Sequence, residues 1–142
     1  MAEGTYTLVV ELSDAASVAF GAAGRRDLAV GWYAYTGTAF GPGGFSRVER
    51  HRELARGERD VRHWHVDYLL GHPESRIAEV VKSVGADAEC AVSREISSDA
   101  DPVAGLGASD CDCGSHLFFA PDRDALERVV GRAHESVTES RE

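Results

Sequence analysis

Hydrophobic and polar positions change period several times along the chain, and each change marks an element. Gly4 to Leu12 (GTYTLVVEL) is rich in β-branched and aromatic residues and stops at Ser13-Asp14, which predicts a first strand. Ser17 to Phe20 predicts a short second strand, with Gly21, Gly24, Arg25, Arg26 and Asp27 reading as a turn after it. From Leu28 to Thr36 alternation returns, with Val30, Trp32 and Ala34 on one side and Tyr33 and Tyr35 on the other. Together these pieces predict an antiparallel meander.

Beyond Gly41-Pro42-Gly43-Gly44 the period lengthens to that of a helix. Ser46, with Glu49 three residues on, predicts a capped helix as far as about Arg56. His63 to Leu70 (HWHVDYLL) fits strand or helix on periodicity alone. As a strand it puts His63, His65 and Asp67 on one face; as a short helix it aligns only His63 and Asp67. Arg76 to Val84 predicts another strand, and Asp87 can cap a helix from Ala88 through Ile96. Ser97 to Pro102 reads as a surface loop, and Gly105 to His116 holds too much Gly and Ser for regular structure. Leu117 to Ala120 is the final strand. From Asp124, a capped amphipathic helix carries Leu126, Val129, Val130 and Ala133 on one face and runs into an acidic tail. The predicted class is α/β (α+β): a small mixed, mainly antiparallel sheet flanked by helices, in a single domain without internal repeats.

Composition narrows the setting. A chain of 142 residues can bury a core without disulfide or metal staples. Its longest apolar run is too short to span a bilayer, and Glu3 precedes the first apolar stretch where a signal peptide would be basic. A cytoplasmic protein with no membrane partner is expected. Acidic residues number 24 against 15 basic ones, for a net charge of −9, and Lys82 is the only lysine. That balance points to a halophilic, high-salt cytoplasm, where an acidic surface keeps proteins hydrated. The same charge would repel phosphates at low salt, but at 1 M salt the Debye length is roughly 3 Å and only local charges count. Three cysteines, Cys90, Cys111 and Cys113, are too few for a secreted disulfide framework, so free thiols or metal ligands are expected.

Three groupings carry candidate chemistry. The first is Tyr6, Tyr35, Arg47 and His51 with a carboxylate still to be found. Arg47 and His51 stand one turn apart on a helix, facing whatever the sheet presents. Phosphodiester cleavage needs a base, a cation beside the phosphate and usually a divalent metal held by a carboxylate. Around them, residues 47–62 hold six Arg and His51 against four acids, an excess that ion pairs of Arg52, Arg56 and Arg59 would also explain. The second is Cys111-x-Cys113-x-x-His116 with Cys90, a zinc set if the four converge and buried small residues if they do not. The third is His63, His65 and Asp67, either metal ligands or a histidine-lined groove for nucleotides.

Gly4-Thr5-Tyr6 on one strand, Tyr35-Thr36-Gly37 on another and an Arg on the next helix resemble the GIY-YIG endonucleases. The longer strings at Gly31 to Ala39, Arg50-His51, His63 to Leu70, Glu89-Cys90 and Gly107 to Phe118 look like a narrower group, the largely archaeal Uri-type GIY-YIG nucleases. The likeness runs from Gly4 to about Ala120, with Thr in place of Ile in each triplet. It implies that Tyr6 and Tyr35 flank the scissile phosphate, that one of them helps deprotonate the attacking water, and that Arg47 offsets charge on the phosphate. His51 matches the Tyr or His that the family carries one turn later, and Glu89 matches its metal-binding Glu, with Glu95 as the fallback. It also favours a short helix for Trp64 to Leu70. The implied activity is structure-directed cleavage of nucleic acid, DNA ahead of RNA, in repair or processing, with Mg²⁺ or Mn²⁺. Zinc at the Cys/His set is a second cofactor expectation, and a homodimer a further one. Rival readings are a non-catalytic nucleic-acid-binding module of the same fold and a small zinc-stabilised interaction domain.

Overall fold

The computed structural model describes residues 3–20, 24–39, 44–57, 65–85, 88–103 and 116–139. Its first strand, β1 (Gly4–Leu12), is buried on both faces, with Tyr6, Leu8, Val10 and Leu12 on one and Thr5, Thr7 and Val9 on the other. It pairs antiparallel with β4 (Gly31–Thr38) on one side and β5 (Ser75–Val84) on the other. β7 (Leu117–Ala120) pairs with β4, and the two-residue β6 (Asp101–Pro102) closes that edge, giving the order β5-β1-β4-β7-β6 with every pairing antiparallel. The expected class, α+β with a mainly antiparallel sheet, is the class observed.

The expected meander is corrected. Among the described residues, β2 (Ala16–Ala19) and β3 (Arg25–Leu28) pair only with each other, outside the main sheet. Arg25 to Asp27, read as a turn, is strand; the strand read from Leu28 to Thr36 is two, parted at Ala29-Val30. Tyr33 Oη donates to the Ala29 carbonyl at 2.7 Å across that break, and Val30 faces solvent instead of sharing the side of Trp32 and Ala34. Asp101-Pro102, expected in a surface loop, forms the edge strand β6.

Helices cover both faces. On the front lie α1 (Ser46–Ala55), α2 (His65–Leu70) and the β2–β3 pair, packing Val48, Leu54, Val66, Leu69, Val18 and Phe20 against Leu8, Val10, Tyr33 and Tyr35. On the rear, α3 (Glu89–Ile96) and α4 (Arg123–Glu139) pack Val92, Ile96, Leu126, Val129 and Val130 against Val9, Ala34 and Phe118. The two apolar sets differ because strand side chains alternate between faces.

The helix starts differ from expectation in detail. Ser46 is the first helical residue of α1, whose cap is Phe45 without a side-chain bond. Ala88, also without one, caps α3, and Asp87 lies outside the described residues. α4 begins before Asp124, and its capping contact comes from Asp122, whose Oδ2 accepts from Ala125 N–H at 3.3 Å. Among the described residues, no helix is long and apolar enough to cross a membrane.

Candidate functional site

The site is built where β1 and β4 run side by side. Tyr6 stands opposite Gly37 and Leu8 opposite Tyr35, so alternation brings both tyrosines to the front face. The glycines of the two triplets have steric reasons. A Cβ on Gly37 would lie 2.7 Å from Tyr6 Oη and 3.1 Å from Tyr35 Cε2; one on Gly4 would run into the Ser83 carbonyl. Glycine at position 37 is what lets Tyr6 lie flat across β4.

α1 crosses above these rings and buries Val48, His51 and Leu54 on its inner face. His51 Nε2 is 2.9 Å from Tyr6 Oη, and its Nδ1 is 3.2 Å from Asp67 Oδ1 on α2. An ionised carboxylate only accepts, so His51 Nδ1–H donates to Asp67, which leaves Nε2 facing the Tyr6 hydroxyl. The chain Tyr6–His51–Asp67 is sealed, its members 1%, 1% and 0% exposed. Tyr35 sets its ring edge-on to His51, with centroids 6.3 Å apart. Arg47, one turn before His51, donates from Nη1 to the Thr38 carbonyl at 2.7 Å, which anchors the guanidinium at the end of β4.

Burial pushes the Tyr6 hydroxyl well above the usual phenol range; the neighbouring Tyr35, Asp67 and Glu89 add to that and Arg47 opposes it. Tyr35 moves the same way, first by burial, then through Glu89 and Asp67, again against Arg47. One electrostatic neighbourhood therefore joins Tyr6, Tyr35, Arg47, Asp67 and Glu89, drawn from β1, β4, α1, α2 and α3. Glu89 reaches it from the opening turn of α3, with its side chain 23% exposed and Oε2 3.6 Å from Nδ1 of the buried His116. Lys82 stands opposite Tyr6 in the β1–β5 register and holds its ammonium 5.0 Å from the Phe45 ring centre.

The four expected catalytic residues, Tyr6, Tyr35, Arg47 and His51, are thus brought together, with Glu89 beside them. Glu95, the fallback, pairs instead with Arg132 at 2.9 Å on the surface. Arg52 and Arg56 both pair with Glu49, at 3.7 and 3.4 Å, so the plainer reading of those two arginines holds. Arg59, His63, Cys111 and Cys113 lie outside the described residues, as does the side chain of His65. Cys90 is disulfide-bonded, which corrects the expectation of a free thiol there. Its sulfur nonetheless shares a cluster with Glu89 and His116, one ligand atom of each lying within 4.8 Å of the others.

Sequence reasoning missed the role of Asp67, which it had grouped with His63 and His65. The signal was an acid inside the apolar run Val66-Asp67-Tyr68-Leu69-Leu70, since a carboxylate buried there requires a partner. It also assigned nothing to His134, which the rear face buries. Thr7 Oγ1 lies 2.8 Å from His134 Nε2 and 2.8 Å from Thr36 Oγ1, and Ser83 Oγ lies 2.7 Å from His134 Nδ1.

Neither the curated proteins nor the solved structures hold a match for the chain. A family model, described as the domain of unknown function DUF123, matches residues 5–139, from the start of β1 to the end of α4. With nearly its whole length covered, the chain belongs to the DUF123 family.

Proposed function

We propose that this DUF123 protein is a metal-dependent endonuclease of the Uri-type GIY-YIG group, hydrolysing phosphodiester bonds in DNA or RNA with a preference for branched or otherwise structured substrates. The observation that carries the reading is the Tyr6–His51–Asp67 relay, set within electrostatic reach of Tyr35, Arg47 and Glu89.

A phenol held above its usual pKa does not ionise at neutral pH, so neither tyrosine serves as a standing phenolate base. Tyr6 acts through its partner. As a water attacks phosphorus, the Tyr6 oxygen takes the water's proton while its own passes to His51 Nε2, and Asp67 stabilises the imidazolium that results. Tyr35, whose ring meets His51 edge-on, positions the water or a phosphate oxygen. Arg47 offsets the charge that develops on the phosphate, and Lys82 adds a cation at the rim.

The donor set fits a divalent ion: Glu89 is partly exposed, with an imidazole nitrogen 3.6 Å away, and Mg²⁺ or Mn²⁺ takes few protein ligands and keeps several waters. When bound there, the ion would polarise the phosphoryl oxygen and acidify the attacking water. Glu89 would hold it, and His116 would orient the carboxylate. The acidic surface supports a saline cytoplasm as the setting.

The burial of Tyr6 and His51 favours a second reading, a module that binds nucleic acid on this face without cutting it. Incubating the full chain with flapped, branched and single-stranded DNA and RNA, in Mg²⁺ or Mn²⁺ at high salt, separates the two. Cleavage abolished by EDTA, Glu89→Ala and Arg47→Ala is the expected result. Binding that survives EDTA without any cutting would establish the module instead.

A further inference from the structure

We propose that reduction of the Cys90 disulfide opens a zinc site made by Glu89, Cys90 and His116. Glu89 and Cys90 are adjacent on the first turn of α3. His116 precedes β7, and its carbonyl accepts from Thr36 N–H at 3.1 Å, which fixes it against the strand that carries Tyr35. One ligand atom from each of the three lies within 4.8 Å of the others. Two nitrogen or oxygen ligands on arms of about 2.0–2.1 Å to one tetrahedral zinc stand roughly 3.3 Å apart. The Glu89 Oε2 to His116 Nδ1 distance of 3.6 Å is already close to that.

Carboxylate, imidazole and thiolate together make a borderline-soft set that selects zinc over Mg²⁺, with the fourth position open. A cystine sulfur contributes no thiolate charge, so among the described residues of this cluster the oxidised protein offers the Glu/His pair. A cellular dithiol supplies the two electrons. One of its thiolates attacks the sulfur bonded to Cys90 and expels Cys90 as thiolate; its second thiol resolves the mixed disulfide, leaving two protein thiols and an oxidised reductant. Any proton held by Cys90 leaves when zinc binds.

The proposal deepens the nuclease reading and rests on it only for what zinc would do. Glu89, like Asp67, lies within electrostatic reach of Tyr6 and Tyr35. Its capture by zinc makes the metal at the candidate site depend on redox state.

Binding is read without nucleic acid, so its failure is distinct from a failure to cleave. The full chain is titrated with Co²⁺, a spectroscopic substitute for zinc, after phosphine reduction and again when oxidised. Reduced protein is expected to bind one Co²⁺ with a near-ultraviolet sulfur-to-cobalt charge-transfer band; the band is absent from oxidised protein and from reduced Cys90→Ser. Glu89→Gln, at a partly exposed position, and His116→Gln should each weaken binding by about tenfold or more. A band that persists in Cys90→Ser, unchanged affinity in Glu89→Gln, or reduced protein with no thiolate band would each overturn the proposal.

Discussion

Two histidines lie buried on opposite faces of the same two strands, and their partners set them apart. Tyr6 on the front and Thr7 on the rear are neighbours in β1; Gly37 and Thr36 are their counterparts in β4. In front, His51 sits between a phenol and a carboxylate. Behind, His134 sits between two hydroxyls, Thr7 and Ser83, and burial alone pushes its pKa down to about 4. Both rings are fixed by hydrogen bonds, and the front one has the Asp67 carboxylate to balance a proton that arrives. A histidine flanked by hydroxyls pins a helix; one backed by Asp67 can move a proton.

Making the front ring resemble the rear one breaks the comparison most directly. Asp67→Asn removes the charge that would stabilise a protonated His51 and is expected to lower the cleavage rate by about 10²-fold or more. Circular dichroism checks that the fold persists, and a rate within a few-fold of wild type would remove Asp67 from the relay.

The rear ring makes the next largest contribution, through pH. His134 has a folded pKa of about 4 against an ordinary 6.5, so the unfolded chain binds the proton more readily. Stability from this group is complete above about pH 6.5 and drains away as pH falls to about 4, a loss of about 3 kcal/mol. Denaturant titrations across that window should show the loss in wild type and a much flatter profile in His134→Gln. An equally steep profile in the variant would place the acid sensitivity elsewhere.

Gly37→Ala tests how tightly the front pocket is built. The added methyl meets Tyr6 Oη and Cζ at 2.7 and 2.8 Å, so the ring must shift, at an expected cost of about 1–3 kcal/mol together with loss of the Tyr6–His51 bond. A variant as stable and as active as wild type would contradict that geometry. The smallest effect belongs to the surface. Arg132 pairs with both Glu95 and Asp99 at about half-exposed positions, and Arg132→Ala should leave the denaturant midpoint close to that of wild type.

Much of this contrast was legible in the sequence. The β-branched and aromatic content of β1, the aromatic alternation of β4 and the inner stripe of α4 are read from the residues, and the two triplets with Arg47 and His51 marked the front site. What periodicity lacks is pairing. Nothing in Ala16 to Leu28 says that its strands bond only to each other, since either register satisfies the local pattern. Asp67 and His134 escaped for a related reason: a buried polar residue acquires meaning from its partner, and His51 and Thr7 lie 16 and 127 positions away respectively.

The central claim is that Tyr6, through His51, takes the proton of the attacking water. Its most direct test compares wild type with Tyr6→Phe in single-turnover cleavage of a flapped DNA substrate in Mn²⁺. Phenylalanine keeps the ring and deletes only the hydroxyl. The account predicts metal-dependent cutting by wild type and a fall of about 10²-fold or more in the variant, with the fold intact. No cutting by wild type, or equal cutting by both, would contradict it.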